Sequence, residues 1–190
     1  MWPKSMALVL VAGVLVSAGC YARLHGGALS GDGRGTVGMG TLGVGYVAER
    51  STGRVAIGMT GGFAGGGGEA EDSVVVGLEL LGDVALKKLG RGRRLSGLVR
   101  MSVAGTSYTE EQDSKLDGML AELGAGLGFD IVGQADDGEA LRHALLGVVA
   151  TAGYVDFSGQ DARWGFGAMF ELTAGFDLGK MLDGVGEPDD

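Results

Sequence analysis

The sequence predicts an all-β fold: an up-and-down antiparallel, transmembrane-type β-barrel of about eight strands, preceded by a signal peptide. Three observations predict it. Successive stretches of roughly 12 to 15 residues alternate apolar side chains with small or polar ones, the period of a strand. Glycine supplies 40 of the 190 residues and falls largely on the face opposite the apolar one. The chain also opens on a short, uncharged, apolar run that ends in small residues.

Composition closes other routes. A single cysteine rules out a disulfide framework and a cysteine-built zinc site. Glycine without a Gly-X-Y period, accompanied by only two prolines, is not collagen. A hydrophobic fraction of 45% is too high for a disordered linker, and a formal net charge of −9 argues against a nucleic-acid partner.

Residues 1–19 read as the signal peptide. Lys4 and the terminal amine supply positive charge, Met6 to Val16 carry none, and Ser17-Ala18-Gly19-Cys20 follow. A helix over that apolar run reaches roughly 16 Å, about half the ~30 Å hydrocarbon core, so it is no spanning anchor. Ala18-Gly19-Cys20 resembles the lipobox of bacterial lipoproteins, with Ser17 where that pattern carries leucine or a similar residue. The resemblance implies lipidation at Cys20. Val16-Ser17-Ala18 equally fits ordinary cleavage after Ala18. A lipidated Cys20 also accounts for the lone cysteine, since a free exposed thiol is a liability in an oxidising compartment.

Residues 20–180 make the barrel domain. The first strand, near Tyr21 to Leu29, is required if the sheet closes on an even count. Residues 36–48 are long enough for the second but alternate less cleanly. The third sets Val55, Ile57, Met59 and Phe63 against Arg54, Ala56, Gly58, Thr60 and Gly62. The fourth sets Val74, Val76, Leu78, Leu80, Val84 and Leu86 against Val75, Gly77, Glu79, Leu81, Asp83 and Ala85, and the fifth sets Leu95, Val99, Met101 and Val103 against Ser96, Leu98, Arg100, Ser102 and Ala104. The sixth carries Met119, Ala121, Leu123, Ala125, Leu127, Phe129 and Ile131 opposite Leu120, Glu122, Asp130 and four glycines. Leu116, Leu120, Leu123, Leu127 and Ile131 also fit a helical spacing, but each of those glycines would cost about 1 kcal/mol inside a helix. For the seventh, 141–155, the good helix formers of 139–149 leave helix and strand both open. The eighth is the clearest, with Trp164, Phe166, Phe170, Leu172, Phe176 and Leu178 on one parity and Met169, Glu171, Thr173, Asp177 and three glycines on the other. Residues 181–190 form an acidic tail.

The breaks at 49–53, 87–94 and 132–140 alternate with those at 65–72, 107–115 and 156–163, so the two sets lie at opposite ends of a barrel. One end is acidic, with Glu69, Glu71, Asp72, Glu110, Glu111 and Asp113. The 87–94 break is a basic turn, Lys87, Lys88, Arg91, Arg93 and Arg94, suited to solvent and to anionic lipid headgroups.

The face opposite the apolar one is mostly Gly, Ala and Ser, a poor coat for water but a good filling for a narrow cylinder. The apolar face is therefore expected to meet lipid. The inward face then holds an interior polar network of Arg54, Glu79, Asp83, Arg100, Glu122, Asp130, Glu171 and Asp177, in which acids outnumber bases. Aromatic residues gather at both ends: Phe63, Tyr108, Tyr154, Phe157, Trp164 and Phe166 at one, Tyr46, Phe129 and Phe176 at the other. On this pattern residues 20 to 180 resemble the small eight-stranded outer-membrane barrels of Gram-negative bacteria, the OmpA/OmpX-type proteins. Gly165-Phe166-Gly167-Ala168-Met169-Phe170-Glu171-Leu172 is similar to that family's C-terminal assembly signal, displaced inward. The resemblance implies residence in the outer membrane, with lipids as partners.

Chemistry is sparse. Gly38-Met39-Gly40-Thr41-Leu42-Gly43 matches a dinucleotide fingerprint as a string, without the following helix or downstream acid that would give it meaning. His25 and His143 are the whole imidazole supply, and neither has a serine partner close in sequence. No catalytic residues, cofactor or metal site are expected. The expectation is a non-enzymatic barrel lipoprotein with a structural or surface-interaction role, any surface ligand being held by the acidic loops. The alternatives are a periplasmic lipoprotein whose soluble, lipocalin-like barrel encloses an apolar ligand, and an enzyme modifying envelope lipids.

Overall fold

The computed structural model describes residues 19–31, 35–65, 73–90, 92–110, 113–132, 140–156, 162–177 and 180. The predicted signal segment up to residue 18, the acidic tail, and Glu69, Glu71, Asp72, Glu111, Phe157 and Leu178 lie outside the described residues, as do the side chains of Tyr108, Glu110 and Asp113. Eight strands follow one another: β1 Gly19–Ser30, β2 Thr36–Arg50, β3 Gly53–Gly65, β4 Ser73–Lys88, β5 Arg94–Glu110, β6 Asp113–Val132, β7 Leu141–Asp156 and β8 Arg163–Phe176. Each pairs antiparallel with the next, and β1 pairs with β8 from Cys20↔Phe176 to Ser30↔Phe166, which closes the barrel. Around the closed ring the wall residues pair on both sides, whereas the β5–β6 hairpin (108–110 with 113–118) extends beyond the ends of β4 and β7 and pairs only with itself.

All the strands expected from the alternation are present, including the one at 21–29 that rested on closure alone and the 141–155 stretch that a helix could have claimed. From Ala144 to Val155, β7 pairs with both β6 and β8, and that long-range ladder overrides local helix preference. The predicted break at 107–115 shrinks to 111–112. Its polar residues continue the ladder as Ser107↔Leu116, Tyr108↔Lys115, Thr109↔Ser114 and Glu110↔Asp113, because backbone pairing needs no apolar side chain. Bulges sit near the strand ends, at Ala85/Lys87, Thr106/Ser107, Asp130/Val132 and Leu141/His143, the usual place for them on a barrel rim.

The apolar parity faces outward. Phe63 and Phe166 are 67% exposed, and Leu24, Val55, Ile57, Met59, Leu78, Leu123, Trp164 and Phe170 stand exposed beside them. On β4 the exposed apolar series runs from Val74 to Leu86. Twelve steps of about 3.3 Å, tilted about 40°, give roughly 30 Å along the barrel axis, the thickness of a bilayer's hydrocarbon core.

We call the end where β1 begins and β8 finishes proximal, and the other distal. Exposed Phe63, Trp164 and Phe166 ring the distal end, with Tyr154 edge-on to Trp164 at 5.5 Å between ring centroids. Tyr46 and Phe129 stand exposed at the proximal end beside the partly covered Phe176. The distal part of the lumen is an apolar core of Leu29, Val37, Val75, Leu120, Val155 and Met169, packed with smaller neighbours. The rest of the lumen, toward the proximal end, carries the buried charges, interleaved with two smaller apolar clusters, one of Tyr21, Val47, Ala56 and Leu81 and the other of Leu98, Leu145 and Val149.

Candidate functional site: the interior charge network

Strand alternation aims one residue in two at the barrel axis, and in a cylinder this narrow inward side chains from strands far apart in sequence meet. Arg54 (β3) grips Asp130 (β6) with both terminal nitrogens, at 3.0 and 3.1 Å, and donates from Nε to Glu49 (β2) at 3.1 Å. This fork-on-carboxylate geometry is the strong form of the charge-assisted bond. Arg94 (β5) donates to the same Glu49 at 2.6 Å and stands 3.2 Å from Asp130.

Arg100, also on β5, clasps Glu171 (β8) through Nε and Nη2, and its Nη1 donates to Asp83 (β4) at 2.8 Å and to the Gly82 carbonyl at 2.9 Å. Arg23 (β1) donates to Glu79 (β4) and stands 3.6 Å from Glu171. The Tyr21 hydroxyl completes Glu79 at 2.6 Å. The contacts form one chain: Tyr21, Glu79, Arg23, Glu171, Arg100, Asp83, then Arg54 at 3.7 Å, then Asp130. A buried ion is tolerable only when opposed and hydrogen-bonded, and here each arginine meets at least two carboxylates.

Seven of the eight expected interior residues, Arg54, Glu79, Asp83, Arg100, Glu122, Asp130 and Glu171, lie buried in the lumen. Six of them are in the chain. Glu122 stands apart, accepting from Ser102 Oγ at 2.9 Å, and Asp177 sits past the end of β8 at the rim, paired with Arg142. Tyr21, Arg23, Glu49 and Arg94 are further members that alternation alone did not pick out. Arg23 shares inward parity with Tyr21 and His25, so extending the parity through β1 finds it. With Arg23 and Arg94 included, the excess of acids over bases narrows.

Inward glycines supply the room. A Cβ at Gly43 would overlap the Glu79 carboxylate, one at Gly147 would crowd the Cγ of Glu171, and one at Gly175 would run into the His143 ring. Local sequence therefore serves distant partners: β2, β7 and β8 omit side chains where β4, β8 and β7 insert theirs.

The arrangement braces the wall. Two interior cavities measure about 10 Å³ each, space for a single water. One is lined by Arg23, His25, Ser102, Glu122 and Thr151, and Glu122 Oε1 beside it has no hydrogen-bond partner among the described residues. His25 is buried with Nδ1 3.5 Å from Thr41 Oγ1, and His143 is buried with Nδ1 3.8 Å from Glu49. Ser102, which lines the same small cavity as His25, donates to Glu122. Among the described residues no cluster of His, Cys, Asp or Glu is set to hold a metal ion. The Gly38–Gly43 string lies inside β2, a continuous strand, and so forms no phosphate-binding turn.

No family model matches the chain, and no curated protein matches it. Among solved structures, the β domain of the Bordetella autotransporter Brka is similar with a TM-score of 0.29 and 12% identity, over 85% of this chain and 100% of that one.

Proposed function

We propose that this chain is a non-enzymatic outer-membrane β-barrel with a structural or surface-interaction role, lipid-anchored through Cys20 at its proximal end. The observation that carries the reading is the inside-out distribution of side chains: an apolar outer wall about one hydrocarbon core tall around an ion-paired, glycine-lined lumen. In water such a wall would be a large aggregation-prone patch, whereas lipid tails cover it without cost. A lipocalin-like barrel needs the opposite arrangement, with an apolar interior roomy enough for a ligand. The apolar distal core and the water-sized cavities support a packed barrel without a pore.

The anchor reading rests on where Cys20 falls. It opens β1 between Tyr46 and Phe176, on the parity of the exposed Leu24. Acyl chains attached there would start at the lipid-facing rim and enter the same leaflet that the proximal aromatics border. An even strand count keeps the first and last strand ends together on that side, which we assign to the periplasm.

Gel mobility of the unboiled, purified chain in dodecyl sulfate tests the barrel reading. The folded form is expected to migrate apart from the boiled form and to stay with outer-membrane fractions through a carbonate wash. Identical mobility with release by carbonate would exclude it. Incorporation of labelled palmitate, lost in Cys20→Ser, tests the anchor.

A further inference from the structure

At the proximal rim the β2–β3 turn (Ser51-Thr52) and the β4–β5 hairpin enclose a cavity of about 460 Å³ lined by Arg50, Ser51, Lys88, Arg93, Arg94 and Glu49, with Leu89 and Gly92 completing it. It lies within the roughly 300–1,000 Å³ range of small-molecule sites, unlike the water-sized voids of the lumen. The hairpin holds its charges in place. The Leu89 N–H donates to the Arg93 carbonyl at 2.7 Å, Gly92 takes the left-handed φ of 70° that closes the turn, and the bulge at Ala85/Lys87 sets Lys88 opposite Arg94.

The cavity's charges do not cancel. Its carboxylate, Glu49, already accepts from Arg54 and Arg94, and Arg94 also meets Asp130. Arg50, Lys88 and Arg93 have no carboxylate partner among the described residues, and Arg93 Nε is shielded from water without an acceptor. Three unopposed cations around an open cavity call for an anion with several acceptor oxygens. The outer wall leads straight to this rim, since exposed Val84 and Leu86 precede Lys87 and Lys88 on β4.

We infer that this rim cavity binds a phosphate group, and that its source is the headgroup of an anionic phospholipid whose acyl chains lie along β4. The lipid source rests on the membrane reading above; the phosphate chemistry does not.

The test uses the full chain folded in dodecyl maltoside, titrated calorimetrically with dihexanoyl phosphatidylglycerol, with inorganic phosphate and with dihexanoyl phosphatidylcholine. Phosphatidylglycerol is expected to bind most tightly, more weakly as salt rises. With each cation worth roughly fivefold at a membrane surface, the triple variant Arg50→Gln/Lys88→Gln/Arg93→Gln should lose about a hundredfold in affinity and Lys88→Gln alone about fivefold. Lys115→Gln, in β6 toward the distal end, should change nothing. Inorganic phosphate that binds as tightly as the lipid and is lost in the same variants upholds the phosphate site and overturns the lipid source. Unchanged binding of both probes in a triple variant that keeps its unboiled gel mobility overturns the proposal. A chain that fails the mobility and carbonate tests yet binds phosphate through these cations sinks only the membrane reading.

Discussion

The two parts of the lumen are built on the same alternating strands, yet one packs as a single apolar core and the other sets ion pairs among smaller apolar clusters. Toward the distal end Leu29, Val75, Leu120, Val155 and Met169 pack against one another with almost no solvent contact. Toward the proximal end Arg23, Arg54, Arg94 and Arg100 thread between five carboxylates. An apolar core loses stability in proportion to the atoms removed, because neighbours partly close around a gap. A paired core fails by the partner, since deleting one ion strands another where water cannot reach it. The distal end is thus tolerant and sealing, and the proximal end is specific about which strands face each other.

Substitutions can break or sharpen that contrast. The largest effect is expected from Arg100→Ala, which abandons Glu171 and Asp83 together and should cost about 3–5 kcal/mol in urea unfolding from lipid vesicles. Adding Glu171→Leu and Asp83→Leu to Arg100→Met should recover most of that loss. If Arg100→Ala is silent, the network does not brace the barrel. In the distal core, Leu120→Ala should cost about 2–4 kcal/mol in the same measurement, with no charge reversal able to rescue it. On the outer wall, Leu78→Arg at mid-height should cost about 2–3 kcal/mol in vesicles and far less in detergent, where micelles deform around the charge. The smallest change is Tyr21→Phe, which removes one donor from Glu79 and should cost about 1.5 kcal/mol. A Tyr21→Phe loss equal to that of Arg100→Ala would mean the hydroxyl, not the guanidinium, governs the network.

Alternation made parity legible in the sequence, and with it the outer wall and most of the inward charges, because a strand's side chains can only point two ways. Depth along the axis was not legible. Leu120 and Glu122 share a parity in β6, yet one joins the distal core and the other lies beside Ser102, because their height depends on the stagger between strands. Pairing was hidden for the same reason: Arg54 finds Asp130 and Arg100 finds Glu171 across more than seventy residues of chain. The 107–115 stretch read as a break because its residues are polar, and polarity says little about a ladder made of backbone.

The join between β1 and β8 sets the terms on which this chain can be made. Cys20 meets Phe176 only after β8, the last of the eight strands, has been made, so until then the ribbon carries two raw margins that any neighbour could zip onto. A product truncated before residue 163 would be no smaller barrel; it would lack its keystone and be open to sticking or degradation. Until that seam forms, the strip needs shelter from other exposed strands.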